Sequence, residues 1–202
     1  MCKFAEYLMI MKLVFATANQ NKAKEIQAII PDSIEILSLN DIHCLEEIPE
    51  TQATIEGNAS QKAFYVFEKY EQNCFADDTG LEIEALYGEP GVLSARYAGD
   101  EKSADKNMDK VLSKMKNFTN RKARFKTVIS LVINGKELQF EGVVNGTILN
   151  EKKGNSGFGY DPIFLPDGSS KSFAEMELSE KNTTSHRAKA VNKLVEYLNS
   201  LA

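Results

Sequence analysis

The dipeptide Asn134-Gly135 separates two strand-like runs, ARFKTVISLVI (residues 123–133) and ELQFEGVV (residues 137–144), and it constrains the fold more than any other feature of the chain. Asn-Gly readily takes the two positive φ values of a two-residue hairpin turn, so these runs are expected to pair antiparallel. Residues 146–149 read as a further strand. Upstream the pattern differs. KLVFAT (12–17) is a short apolar run, residues 21–30 carry helical spacing through Ala23, Ile26 and Ile30 up to Pro31, and residues 34–39 are again strand-like. A strand–helix–strand unit favours parallel pairing, whereas the hairpin requires antiparallel pairing. Together they predict an α/β fold on a mixed sheet.

Between these units, residues 54–70 carry Ala59, Ala63, Val66, Phe67 and Tyr70 on one side of a helix, with Thr54 as its N-cap. Residues 102–115 predict another helix, and Val191, Leu194, Val195, Leu198 and Leu201 give the tail one apolar face. No repeat, low-complexity tract or linker divides the chain, so residues 11–202 are read as one domain. Residues 1–10, MCKFAEYLMI, read as an extension whose order the sequence leaves open; they are too short for a membrane span.

A chain of 202 residues, 43% apolar and 26% charged, can bury a substantial core. Its net charge of −5 argues against a broad grip on nucleic acid but leaves room for a small anion held by local cations. Cys2, Cys44 and Cys74 have neither metal-like spacing nor the even number of a disulfide framework, which fits a reducing cytoplasm. With only His43 and His186, a histidine metal site or a Ser-His-Asp triad is poorly supported.

Four stretches can carry chemistry. In CFADDTGL (74–81) two carboxylates stand side by side at the end of an apolar run, where repulsion and desolvation need compensation. The stretch reads either as a plain turn or as a metal and phosphate site at a strand end. TANQNK (17–22) is a strand-to-helix turn through Ala18, Asn19, Gln20 and Asn21; its free N–H groups with Lys22 suit a phosphate, and a polar turn with a solvated lysine is the alternative. In GNSGFGYDP (154–162), three glycines permit close backbone approach, and Phe158 either stacks on a base or tucks into the core. In SEKNTTSHRAKA (179–190), His186 and Arg187 diverge by about 100° on a helix, though at a helix start both can address one cleft. A solvated cationic face, extended by Lys181 and Lys171, is the alternative there. Glu46, Glu47, Glu50, Asp77 and Asp78 offer carboxylates suited to a hard cation.

Six separated segments, in one order, resemble the inosine triphosphate pyrophosphatase (Ham1-like) family of noncanonical purine NTP pyrophosphatases, or XTP/dITP diphosphatases. They are FATANQNKAKE (15–25), ETQATIEGNASQKA (50–63), FADDTGLEIEALYGEPGVLSARYAG (75–99), GFGYDPIF (157–164), FAEM (173–176) and EKNTTSHRAKA (180–190). The resemblance implies a two-lobed α/β fold on an elongated mixed sheet flanked by helices, with the nucleotide in the cleft between lobes and a homodimer as the usual assembly. It implies Mg²⁺-dependent hydrolysis of ITP, dITP or XTP between the α and β phosphates. By position, Asp78 matches the catalytic base and metal-binding aspartate, with Glu50 the loose match for the upstream metal-binding glutamate and Asp77 a partner or second metal contact. Thr17, Asn19 and Lys22 match the phosphate-binding turn of residues 17–22. Phe158, Gly159, Tyr160 and Asp161 match the base-binding loop, and Lys181, His186 and Arg187 match further substrate contacts. Two departures stand out. Thr79 lies where the family usually has serine, as a substrate contact, and Gly57-Asn58-Ala59 lies where it often has Glu-Asn-Ala, which moves a carboxylate to Glu56 or removes it.

Base choice has a chemical logic within that resemblance. Hypoxanthine and xanthine carry a 6-keto acceptor where adenine carries an amino donor. Backbone N–H groups and Arg187 facing that position would favour the keto group by roughly 10⁴ or more. Three rivals are weighed against this reading: a Maf-type pyrophosphatase acting on pyrimidine or modified nucleotides, a silent nucleotide sensor, and a nucleic-acid-binding module. The SHR and FGYD segments disfavour the first, the Asp77-Asp78 pair the second, and the acidic balance the third.

Overall fold

Asn134 and Gly135 take φ values of 51° and 77°, the left-handed pair that a two-residue hairpin needs. They join β4 (Lys122–Ile133) to β5 (Lys136–Ile148) in an antiparallel ladder. The computed structural model describes residues 11–31 and 33–201, so the extension read at 1–10 lies outside the described residues. β1 (Met11–Phe15), α1 (Gln20–Gln27) and β2 (Ile34–Leu37) form the expected strand–helix–strand unit, with β1 parallel to β2. After α2 (Ile55–Tyr70), capped by the Thr54 side chain on the Gly57 N–H, comes β3 (Cys74–Ile83). β3 pairs parallel with β1 and antiparallel with β4. With β6 (Phe164–Pro166) the six-stranded sheet runs β2-β1-β3-β4-β5-β6, a mixed α/β sheet as predicted. The run at 146–149 is the end of β5 rather than a separate strand.

Strand alternation sorts the core onto two faces. Leu13, Phe15, Phe75, Ile129 and Leu131 pack with Ile26 of α1 and with Ala190, Val191 and Leu194 of α5 (His186–Asn199). Val14, Ala16, Cys74, Ala76 and Val132 pack on the other face with Ala63 and Val66 of α2. A third cluster, at the far end of the β3–β5 ladder, joins Leu81, Ile83, Phe125 and Phe164 to Met108 and Val111 of α3 (Ala104–Met115). Gly142 makes the α5 contact possible: a Cβ there would lie 2.0 Å from the His186 carbonyl, so only glycine lets α5 begin against β5. Two 3₁₀ turns, Gly91–Arg96 and Asp161–Ile163, and the short helix α4 (Leu178–Thr184) border the gap between the first two clusters and the third.

Candidate active site

The expectation that a strand ends at Asp77-Asp78 is corrected by the structure. β3 runs unbroken through Asp-Asp-Thr-Gly, with Asp77, Asp78 and Thr79 opposite Ile129, Val128 and Thr127 of β4. The ladder to β4 satisfies the backbone and overrides the local turn preference of these residues. It is the neighbour that stops. β1 pairs with β3 only at Val14–Cys74 and Phe15–Phe75, and after the Ala16 N–H reaches the Phe75 carbonyl the chain turns away into α1. One edge of β3 is thereby uncovered beside the two carboxylates.

Because successive strand residues face opposite ways, the adjacent acids are separated. Asp78 points to the α2 side, where it accepts from Asn58 Nδ2 (3.2 Å) and lies 3.8 Å from the Lys62 ammonium. Lys62 also holds Glu50 at 2.5 Å, and Arg96 reaches toward Glu50 from the facing turn at 3.9 Å. Burial pushes the Asp78 carboxyl above its usual range, with Lys62 and Lys22 opposing and Glu50 reinforcing the rise. Asp77 points the other way, toward Lys22 (3.0 Å) and the Arg187 Nε (3.5 Å). Burial alone would raise its pKa, but Lys22, Arg187 and Lys62 together hold it well below the carboxylate range.

Lys171 is exposed, whereas two of the cations on the Asp77 side are enclosed. Arg187 and Lys181 are 2% and 3% exposed, so for them the solvated cationic face does not hold. Glu25 of α1 pairs with both, and Lys181 also holds Asp161 at 2.7 Å. Asp161 in turn accepts the Phe158 N–H at 2.8 Å. Gly157, at φ 76°, leaves room for that carboxylate, since a Cβ there would sit 2.2 Å from the Asp161 Oδ2. Phe158 is half-buried rather than tucked into the core, with the Lys181 ammonium 4.8 Å and the Arg187 Cζ 5.5 Å from its ring centre. Such cation–π contacts hold the ring as a platform. His186 stacks on Phe125 with centroids 4.5 Å apart, and burial beside Arg187 and Lys181 drives its pKa well below the usual value. The imidazole is therefore neutral.

Asp78, Glu50, Lys62, Lys22, Phe158, Asp161, Lys181, His186 and Arg187 border one cavity of about 560 Å³. Thr17, Ala18, Asn19, Asn21 and Lys22 form one wall, where Asn19 caps α1 by accepting from the Asn21 and Lys22 N–H groups. Glu50, Asp78 and Thr79 form the floor. Phe158, Gly159, Tyr160, Asp161, Lys181, His186 and Arg187 form the opposite wall. Of the sequence-predicted residues, exposed Gln20 and the ion-paired Asp77 lie outside this lining. Glu56 also lies outside it, paired with Lys126, while Glu46 is taken by Tyr65, Lys69 and Tyr70 and rim residue Glu47 by Lys102.

Sequence reasoning missed Lys62, Glu25, Thr127 and Arg96. A signal existed for the first: Asn58 and Lys62 share the helical spacing of Ala59, Ala63 and Val66, so a lysine and an amide stand on the buried face of α2. Glu25, beside buried Ile26, carries a weaker form of the same signal.

Known proteins resemble this chain along nearly its whole length. The model of the Ham1 family matches residues 13–197. A dITP/XTP pyrophosphatase of Flavobacterium johnsoniae is 58% identical over 93% of this chain and 98% of that protein. One of Porphyromonas gingivalis is 50% identical over 93% of this chain and 97% of that protein. Among solved structures, the Staphylococcus aureus Ham1 protein superposes with a TM-score of 0.87 at 38% identity, covering 95% of this chain and all of the other. The fold is thus shared along nearly the whole chain, which belongs to the Ham1 family.

Proposed function

We propose that this chain hydrolyses noncanonical purine nucleoside triphosphates, dITP, ITP and XTP, to the monophosphate and pyrophosphate, and so cleanses the nucleotide pool. The observation that carries the reading is Asp78, open to a cavity whose walls are a cationic helix N-terminus and an aromatic platform backed by two buried cations. The family and the names of its relatives support the substrate class. The triphosphate lies along the α1 N-terminus and Lys22. The base stacks on Phe158, and the Arg187 guanidinium donates to its 6-oxygen. Asp78 accepts the proton of the attacking water as the α–β anhydride breaks, a role open to a carboxylate that faces the cavity.

Asp78 and Glu50 present hard oxygens to the same cavity, which fits Mg²⁺, an ion commonly held by one or two carboxylates together with substrate phosphates. Among the described residues no group of three His, Cys, Asp or Glu is placed to hold an ion unaided, and Asp77 is committed to Lys22 and Arg187. Bound there, Mg²⁺ would neutralise phosphate charge and polarise the water. A homodimer and a cytoplasmic location complete the proposal; no helix among the described residues is long and apolar enough to cross a membrane. The test is pyrophosphate release with Mg²⁺ across dITP, ITP, XTP, ATP, GTP, UTP and dTTP. The first three should be turned over far faster than the rest. Equal rates on ATP and ITP would sink the specificity, preferred turnover of UTP or dTTP would favour the Maf-type reading, and release of orthophosphate would refute the bond assigned.

A further inference from the structure

Thr127 lies in the middle of β4, fully buried, and outside the cavity lining. It sits directly opposite Thr79 in the β3–β4 register, and the two hydroxyl oxygens are 2.8 Å apart. Thr79 Oγ1 has two further neighbours: Asp77 Oδ2 at 3.3 Å and the Arg187 Nη2 at 3.4 Å. A hydroxyl has one proton to donate and two lone pairs to accept with, so the direction of each bond can be worked out. Asp77, 3.0 Å from the Lys22 ammonium and beside Arg187, is a carboxylate and only accepts. A guanidinium only donates. The Thr79 proton therefore goes to Asp77, and Thr127 must donate to Thr79. The remaining lone pair of Thr79 then faces Arg187.

From this we infer that Thr127 is a positioning residue for the Arg187 guanidinium, acting through the Thr79 hydroxyl, and thereby contributes to base discrimination. The inference rests on the reading of Arg187 given above. Glu25 holds the Nη1 of Arg187 and Asp77 lies beside its Nε, so Thr79 is the third point that sets the plane of the fork. A guanidinium recognises a keto oxygen only if its plane is held. Without the Thr127 proton, the Thr79 oxygen loses a buried donor and the side chain is no longer tied to β4, so it shifts relative to Arg187. The third point then softens.

The experiment compares Thr127→Val, which keeps the shape and β-branching but loses the hydroxyl, with Thr127→Ser, which keeps the hydroxyl. For Thr127→Val the KM for dITP should rise about 3–10-fold, with a smaller change in kcat, and the preference for dITP over dATP should fall by a similar factor, the loss expected for one hydrogen bond. Thr127→Ser should stay within about twofold of the wild type in both. In a Thr79→Val background, Thr127→Val should add nothing further. A packing role alone would impair Ser at least as much as Val and leave the dITP/dATP ratio unmoved; that outcome overturns the assignment, as does a Val variant that matches the wild type. If the wild type is active on dITP and Val is unaltered, only the Thr127 assignment fails. A wild type that releases no pyrophosphate from dITP overturns the proposed function and this inference with it.

Discussion

Two sides of one strand carry the chemistry in contrasting ways. On the α5 side, Asp77, Glu25 and Asp161 are each matched to Lys22, Lys181 or Arg187, and the carboxylates and the last two cations are nearly out of reach of water. On the α2 side, Asp78 and Glu50 share a single lysine, Lys62, and both open onto the cavity. The first arrangement is closed and balanced, which holds a cationic platform rigid. The second is looser and open, with Arg96 3.9 Å from Glu50 and both carboxylates facing the cavity, which suits a place where phosphate, metal and water are to be handled. Burial acts on both sides, but only where the cations outweigh it does the carboxylate end below its usual pKa, as at Asp77; at Asp78 burial wins. Adjacent acids thus have separate tasks because a strand turns them apart.

The contrast can be broken most strongly at Asp78. Asp78→Asn should lower pyrophosphate release by about 10²–10⁴, the range for loss of a general base, with the cooperative unfolding transition retained. A near wild-type rate would remove Asp78 from the proposed reaction. Next comes Glu25→Gln, which leaves the buried Lys181 and Arg187 one counter-charge short. It should cost about 3–5 kcal/mol in urea denaturation, because removing one partner strands a buried charge. Unchanged stability there would mean that the closed network is already dispensable.

The smallest effect expected is in pH. His186 is held neutral in the fold, its pKa lowered by burial and by Arg187 and Lys181, while the unfolded chain takes up a proton near pH 6.5. Its contribution is therefore fully present above that pH. Below it, stability falls with a slope of at most about 1.4 kcal/mol per pH unit from this group. His186→Gln should flatten the stability profile between about pH 6.5 and 4.5; the depressed Asp77 adds its own loss only below about pH 4. An identical profile in the variant would show that His186 does not titrate differently on unfolding.

Much of this was legible in the chain itself. The Asn134-Gly135 turn set the hairpin, Pro31 and the period of Ile26 and Ile30 set α1, and Thr54 began α2, because each depends on local backbone chemistry. Of the site residues in recognisable stretches, from Thr17 to Arg187, all but Gln20 and Asp77 fall around one cavity. Lys62 and Glu25 left only the trace of a charged residue on a buried helix face, and Thr127 left none; the part of each arises from partners elsewhere in the chain: Glu50 and Asp78, Lys181 and Arg187, and Thr79.

The sequence by itself determined the elements, their mixed pairing and which segments hold polar chemistry, since propensity, capping and hydrophobic period act over a few residues. Only the tertiary structure decided what CFADDTGL does. It is no turn: β3 continues because β4 pairs with it through the whole stretch, and the cleft exists because β1 stops short. Which acid would be sealed among cations and which left open to the cavity depended on α2, α1 and α5 arriving on opposite faces of that strand, a matter of long-range packing that no local preference encodes.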